Sequence, residues 1–222
     1  MYSEIALQEV QQRTIAVGTL TNGHTQLLGS GFFLKNEYYA TALHAVKNLP
    51  NLKVIPAPNV NSSGYQNFTD RSHVFDAVIH SVNPLIDIAI LKVAGAFSNQ
   101  NPSFGLAGLD YLRSPAALLL SGYPHCVMGR FVHTFKDTVL GAKIERLYFG
   151  TPVRQGVLNI MTRPGESGSM VVDMKNRNVV GMLVGAWVPQ GSEGAVTIGG
   201  IDPQTLHATS LCVSLHHITE LL

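Results

Sequence analysis

The sequence predicts an all-β protein, and three observations lead to this prediction. From Thr14 onward, short runs rich in Val, Ile, Leu, Thr and aromatic residues are separated by Gly, Pro, Asn and Ser. Many short strands with regular turn signals are typical of a barrel or a sandwich. These runs do not alternate with long helical patterns, which disfavours a parallel βαβ architecture. Apolar residues make up 45% of the 222 residues and charged residues only 13%, so we expect a compact globule.

Two short helices are predicted at the ends of the chain. Residues 3–12 place apolar side chains among Glu and Gln, and residues 215–222 space apolar side chains along one helix face. Residues 56–70 are dense in turn formers and indicate an exposed loop, whereas residues 94–113 would suit a linker between two barrels. The predicted strands are 14–20, 31–34, 38–41, 53–57, 75–81, 88–93, 117–121, 131–135, 146–149, 157–160, 170–173, 179–187 and 210–214.

The charge balance limits the class of partner. Lys and Arg total 15 against 14 Asp and Glu, and no basic run is present. Such a chain lacks the positive surface that nucleic acid or an anionic membrane would bind. We therefore expect a polypeptide partner, with no nucleic acid and no membrane.

The N-terminus and the cysteines indicate a cytoplasmic protein. A domain cut from a viral polyprotein would also lack a targeting signal, so that origin remains an alternative. MYSEIALQEV has no charged segment followed by an apolar core, and the central apolar run 116–120 is too short to cross a bilayer. The two cysteines, Cys126 and Cys212, could form a disulfide, but two free thiols in a reducing compartment are favoured.

The motif GESGS, residues 165–169, is the sharpest indication of chemistry. A serine hydroxyl becomes a good nucleophile only beside a base and with donors for the developing oxyanion. Glycines on both sides of Ser167 let the backbone turn sharply, which can aim the Gly165 and Ser167 amides into one small space. Taken alone, such a motif is more often an ordinary turn between strands.

A candidate base and a candidate acid stand upstream of this serine. His44 follows a predicted strand in YYATALHAV, and the imidazole pKa of roughly 6.5 suits a general base. Asp87 lies within the apolar run PLIDIAIL, where an unpaired carboxylate would cost several kcal/mol in order of magnitude. A histidine N–H is a natural partner for it. Asp87 could instead cap a turn, and Asp70 and Asp76 compete for the role from a loop-like stretch and from a weaker apolar run.

The order His, Asp, Ser, with the flanks GSGF, TALHAV, DIAIL and GESGS, resembles the trypsin/chymotrypsin superfamily, especially its HtrA-like and viral branches. VVGMLVG at 179–185 resembles the strand beside the S1 pocket, and LCVS at 211–214 resembles the last strand. This resemblance covers roughly residues 14–222. It implies two six-stranded antiparallel β-barrels with short terminal helices, divided as extension 1–13, first barrel 14–100 and second barrel 101–222.

The resemblance also implies a serine endopeptidase that works through an acyl-enzyme and needs no cofactor. His44, Asp87 and Ser167 would form the catalytic triad, and the amides of Gly165 and Ser167 would form the oxyanion hole. Glu166 and Ser169 depart from the family, which usually has Asp or Asn before the serine and two glycines after it. No basic activation site precedes the first barrel, so cleavage of a zymogen is not expected, and Glu166 should pair with another group or face solvent.

Family alignment places Met161 at the base of the S1 pocket, with Val184, Ala186 and Thr209 on its walls. Cleavage after Lys or Arg would require a carboxylate at the base. Because Met161 supplies none, a small or medium apolar P1 side chain is predicted. His207 lies close to the wall in sequence and offers an alternative, recognition of Gln or Glu.

Other functions remain as alternatives. The pairs His125–Cys126 and His216–His217 match no tetrahedral zinc spacing, so no metal is predicted. A catalytically silent two-barrel module could bind peptides or scaffold an assembly, and an oligomer or a regulatory partner is compatible with the sequence. An esterase of the α/β-hydrolase type is disfavoured, because its triad runs Ser, acid, His along the chain.

Overall fold

The computed structural model describes residues 2–21, 24–58, 64–67, 73–93, 103–187 and 209–222. Most of these residues lie in strands, as predicted. The chain begins with helix α1 (Glu4–Arg13) and ends with helix α2 (Leu215–Thr219). Within the described part of the chain, no helix has the length and apolar character that crossing a bilayer requires.

Helix α1 begins at a capping residue and is held against the rest of the protein by buried side chains. The Ser3 side chain accepts a hydrogen bond from the Ala6 amide, so Ser3 acts as the N-cap. Val10 is fully buried, which docks the helix on the core. The buried Arg13 guanidinium donates to the carbonyls of Phe104 and Leu34, and so ties the end of the helix to the start of the second half of the chain.

The first half of the chain forms a closed six-stranded antiparallel barrel, with strand order β1-β2-β3-β6-β5-β4. Its core holds branched and aromatic side chains, among them Ile15, Val17 and Leu91, each with no exposed surface. Its strands are β1 (Thr14–Thr21), β2 (His24–Lys35), β3 (Tyr38–Ala42), β4 (Leu52–Pro56), β5 (Phe75–Asn83) and β6 (Ile88–Val93).

The second half forms another ring of six antiparallel strands. The pairing runs β8-β9-β10-β13-β12, and β11 closes the ring because it pairs with both β12 and β8. A short strand, β7 (Gly105–Leu106), adds to the ring in parallel with β12. The ring strands are β8 (Ala116–Gly122), β9 (Thr134–Tyr148), β10 (Thr151–Leu158), β11 (Met170–Asp173), β12 (Asn178–Trp187) and β13 (Thr209–Ser214).

A shared apolar cluster joins the two barrels. It contains Phe32 and Ile90 from the first barrel, Met170 and Val213 from the second, and Val10 from helix α1. All five side chains have no exposed surface. The barrels therefore pack on a common core.

The prediction was wrong for β9 and β10. Strands were expected at 131–135, 146–149 and 157–160, whereas β9 runs without a break from Thr134 to Tyr148 and β10 covers Thr151–Leu158. In β9 the side chains alternate between exposed and half-buried from residue 141 to 148, so no continuous apolar run marks the strand. Phe149 and Gly150 then form a two-residue hairpin turn, with φ of 49° and 82°.

Smaller differences concern the loops and β2. β2 begins at His24 rather than at residue 31, and β7 lies inside the predicted linker 94–113, of which residues 94–102 lie outside the described residues. In the predicted loop 56–70, the described residues beyond Pro56 form no strand or helix. Cys126 and Cys212 are buried free thiols, as predicted.

Candidate active site

His44 and Asp87 contact each other on the first barrel. The Nδ1 atom of His44 lies 2.5 Å from Oδ2 of Asp87, and the His44 amide donates to Oδ1 at 2.8 Å. The Asp87 carbonyl also accepts the Leu43 amide at 3.0 Å. One aspartate therefore fixes both the ring and the backbone of the histidine.

Strand register explains this contact. His44 lies in a 3₁₀ turn, Leu43–Ala45, directly after β3, and Asp87 lies in the turn between β5 and β6. β3 and β6 are antiparallel neighbours with Ala42 opposite Ile88, so the residues just beyond that pair meet at the same barrel end. Asp87 has φ 59°, a left-handed conformation that Asp tolerates better than most residues.

Ser167 lies on the second barrel, in the loop between β10 and β11. Gly165 and Gly168 have φ of 95° and 88°, so both adopt the left-handed conformation that favours glycine. A Cβ at position 168 would lie 2.0 Å from the Ser30 carbonyl oxygen. The two glycines predicted to bend this loop are therefore required by its conformation.

Ser30 connects this loop to the first barrel. Its amide donates to the Ser167 carbonyl at 2.9 Å, and its hydroxyl donates to the Gly165 carbonyl at 2.8 Å. The neighbouring residue, Gly29, lies between the two halves of the site, since a Cβ there would be 2.9 Å from Ala45 Cβ and 3.1 Å from the Ser167 carbonyl oxygen. Ser167 and the turn that carries His44 thus approach each other across Gly29.

Two amides of the loop have no acceptor among the described residues. Glu166, Gly168 and Ser169 donate their amides to backbone carbonyls, whereas the Gly165 and Ser167 amides donate to none. The Pro164 carbonyl accepts the His125 amide at 2.7 Å. Because the C=O and N–H of a trans peptide point in opposite directions, this bond turns the Gly165 N–H away from His125. The Gly165 and Ser167 amides therefore remain free to donate to another group.

The Ser167 hydroxyl makes no hydrogen bond to any described residue, and the His44 and Asp87 side chains are 48% and 26% exposed. A carboxylate only accepts hydrogen bonds, so the Nδ1 atom beside it carries the hydrogen of neutral His44. The Nε2 atom is then left with a lone pair that can take a proton. In enzymes, the hydrogen bond between a serine hydroxyl and a histidine base is often long or poorly aligned until a substrate is bound.

Other candidates for these roles do not fit the structure. Asp76 is exposed and pairs with Lys53, and Asp70 lies outside the described residues. Burial raises the pKa of the Cys126 thiol to about 12, so it stays protonated at neutral pH. Burial lowers the pKa of His133 to about 3, and its Nε2 atom contacts the Ser121 hydroxyl, which makes it a neutral core residue.

Three of the predicted S1 residues lie in neighbouring segments. The Ser210 hydroxyl donates to the Ile160 carbonyl at 2.7 Å, which brings the start of β13 beside the segment that contains Met161. Ser210 is also the register partner of Ala186, and Thr209 precedes it on β13. Val184 is half-buried on β12, whereas His207 lies outside the described residues.

An ion pair with a buried carboxylate lies in the loop that carries Ser167 and was not predicted from the sequence. Glu166 is only 1% exposed, and its Oε1 atom lies 2.5 Å from Nζ of Lys136 on β9. Of the two alternatives expected for Glu166, pairing with another group is observed and exposure to solvent is not, but the partner was not named. Thirty positions separate the two residues, and the signal that could have pointed to a pair is a single charge inside GESGS.

One cluster of possible metal ligands occurs among the described residues, formed by His216, His217 and Glu220. The Nε2 atom of His217 accepts the Arg154 amide at 3.0 Å, and its Nδ1 atom faces Glu220. The Nδ1 atom of His216 contacts the Ser214 hydroxyl. Three of the four ring nitrogens are thus already engaged, which argues against a metal site.

Comparison with known proteins identifies related domains. The trypsin-like peptidase domain family matches residues 29–182, about two thirds of the chain. No curated protein sequence matches the chain significantly.

Several solved structures share the fold. The active form of the Rv3671c protease from M. tuberculosis superposes with a TM-score of 0.70 at 17% identity, covering 99% of this chain and 83% of that one. The HtrA-type protease AlgW, solved with a tripeptide, gives 0.67 at 19% identity, with 97% and 60% covered. The MamO protease domain from Magnetospirillum magneticum gives 0.61 at 16% identity, with 96% of each chain covered.

Proposed function

The chain belongs to the trypsin-like peptidase family and is a serine endopeptidase, and from this premise we propose that His44, Asp87 and Ser167 are its catalytic triad. The observation that carries the proposal is the double contact of one carboxylate with His44, at Nδ1 and at the amide, beside a nucleophile loop with two free donors.

In the proposed mechanism, Nε2 of His44 takes the Ser167 proton as the hydroxyl oxygen attacks the scissile carbonyl carbon. Asp87 keeps the hydrogen on Nδ1 and stabilises the imidazolium that forms. The same imidazolium then protonates the leaving amine, and water hydrolyses the acyl-enzyme by the reverse sequence of proton transfers.

The Gly165 and Ser167 amides would bind the oxyanion of the tetrahedral intermediate. Donors that are already directed at the developing charge need no reorganisation, and such stabilisation is often the largest single contribution to catalysis. The Ser30 and His125 hydrogen bonds to this loop support its shape before substrate arrives.

We propose that the substrate is a polypeptide bound in extended form along β12. Beyond Leu183, the edge of β12 that faces away from β13 is unpaired among the described residues, and a Cβ at Gly185 would meet no atom within 4 Å. An extended peptide can add to such an edge through main-chain hydrogen bonds. A cavity of about 190 Å³ beside His44, lined by Leu28, Val46 and Leu49 among others, would accept a further substrate side chain.

For P1, we propose a small or medium apolar side chain, because Met161, Val184, Ala186 and Thr209 carry no charge. A library of peptide substrates would test this preference. A cleavage profile dominated by Lys and Arg would reject it, and a profile dominated by Gln or Glu would favour a role for His207.

Labelling with a fluorophosphonate probe tests the triad directly. We expect the wild-type protein to be labelled on Ser167, and Ser167→Ala and His44→Ala to remain unlabelled while melting close to wild type. Retained peptidase activity in Ser167→Ala would overturn the assignment. An unlabelled, inactive wild type would indicate a silent binding module instead.

A further inference from the structure

The Glu166 side chain turns into the protein from the middle of the oxyanion loop, which we define as residues 163–167. Glu166 stands between the two residues whose amides are free, Gly165 and Ser167. Its Oε1 atom lies 2.5 Å from Lys136 Nζ, and its Oε2 atom accepts the Arg163 amide at 2.5 Å. Both carboxylate oxygens are therefore used inside the protein.

The same side chain closes the oxyanion loop on itself. The Glu166 amide donates to the Arg163 carbonyl at 3.1 Å, while the Arg163 amide donates to the Glu166 carboxylate. These reciprocal bonds close residues 163–166 into a turn that contains Gly165. If the carboxylate left its position, this turn would lose one of its two closing bonds, and the flanking Gly165 and Ser167 amides would lose that support.

Lys136 is the one cation paired with Glu166 among the described residues. It lies on β9 opposite Leu120 of β8, in the regular part of the second barrel, and its side chain is 26% exposed. Removing the partner of a buried charge leaves that charge uncompensated, which proteins tolerate poorly. Without Lys136, the Glu166 carboxylate would move toward water, and the oxyanion loop would move with it.

We propose that Lys136 is a positioning residue for catalysis, which holds the oxyanion loop in its donating conformation through Glu166. This inference rests on the proposed function, since it concerns how the same site is ordered. Because both partners are internal side chains of the folded chain, this ordering requires no cleavage of the polypeptide. It also gives Glu166, which departs from the family pattern, a specific role.

The test compares Lys136→Met with Lys143→Met, a matched variant on the same strand. Nζ of Lys143 donates to the carbonyls of Leu109, Asp110 and Leu112, away from the oxyanion loop. We expect Lys136→Met to lower kcat about a hundredfold or more, the effect typical of losing an oxyanion donor, with KM within about threefold of wild type. Lys143→Met should keep kcat within about threefold.

Two further variants separate positioning from folding. Lys136→Arg keeps the cation and should recover most of kcat. Combining Lys136→Met with Glu166→Gln removes both charges, so the double variant should be more active than Lys136→Met alone. Melting curves and circular dichroism report whether each variant is folded, and fluorophosphonate labelling reports how fast Ser167 reacts.

Equal kcat values for Lys136→Met and Lys143→Met would overturn the proposal, as would a rise in KM with kcat unchanged. Loss of the fold in Lys136→Met, Lys136→Arg and the double variant would show a purely structural role and would overturn it too. If wild type is not labelled at Ser167, the proposed function itself fails. If wild type is labelled and Lys136→Met is labelled at the same rate, only the role of Lys136 fails.

Discussion

Replacing Asp87 with asparagine should remove most of the activity and leave the fold intact. Asn tolerates the left-handed conformation at φ 59°, and its side-chain oxygen can still accept the His44 amide. The amide NH₂ group then faces Nδ1 and can only donate to it. The ring must therefore carry its hydrogen on Nε2, the atom that should accept the Ser167 proton.

The size of the loss follows from the contacts. The 2.5 Å bond between Nδ1 and Asp87 involves a charged group, and such bonds contribute about 1.5–3 kcal/mol. Attraction between the carboxylate and the imidazolium adds about 2–3 kcal/mol at this partly exposed site. Since about 1.4 kcal/mol corresponds to tenfold in rate, we expect kcat to fall by between about 300-fold and about 20,000-fold.

Asp76→Asn provides the matched control. Asp76 lies on the same barrel, but it is exposed and, among the residues that the structure describes, pairs with Lys53 alone, so its loss should change kcat by less than about twofold. Both variants would be assayed on one peptide substrate, with melting curves to confirm folding. A loss below about tenfold in a folded Asp87→Asn protein, or equal losses in the two variants, would refute the assignment of Asp87.

Three further predictions concern stability and the thiols. Gly168→Ala should lower the melting temperature and the labelling rate of Ser167, because its φ is 88° and its Cβ would overlap the Ser30 carbonyl; wild-type behaviour in both assays would contradict this. His133 stays neutral in the folded protein down to about pH 3, whereas the unfolded chain binds a proton below about pH 6.5. The stabilisation from neutral His133 is therefore nearly complete above about pH 7.5, and the free energy of unfolding falls by about 2 kcal/mol between about pH 7.5 and about pH 5. Urea midpoints of His133→Gln should depend less on pH in this range than those of wild type. Cys126 and Cys212 are buried with pKa values of about 12, so a thiol reagent at pH 8 should titrate neither thiol in the native protein and both in denaturant.

Strands and candidate residues were predicted correctly where the neighbouring residues along the chain determine them. β6 and β11 were predicted at their observed limits, because each is a short apolar run between turn signals. His44 and Asp87 could be selected by the small or apolar residues around them. Their contact follows from the register of β3 and β6, which fold-level reasoning can supply.

Features that depend on contacts between residues far apart along the chain could not be predicted from the sequence. β9 was predicted as two strands because its outer half exposes alternate side chains, and pairing with β8 and β10 makes it continuous. No local pattern marks Lys136 as the partner of Glu166, because one residue lies on β9 and the other in the loop before β11, thirty positions apart. Ser30 likewise has no local signal of a partner in GSGF, and only the packing of the two barrels shows which carbonyls it binds.

Ser30, in the first half of the chain, donates two hydrogen bonds to the loop that carries Ser167 in the second half, so the conformation of this loop depends on both halves. A nascent polypeptide whose first half had not yet docked would already contain Ser167, but the loop would lack these bonds. Proteolytic competence should therefore appear late in folding, after the halves associate. Any perturbation that separates the two halves should therefore abolish turnover.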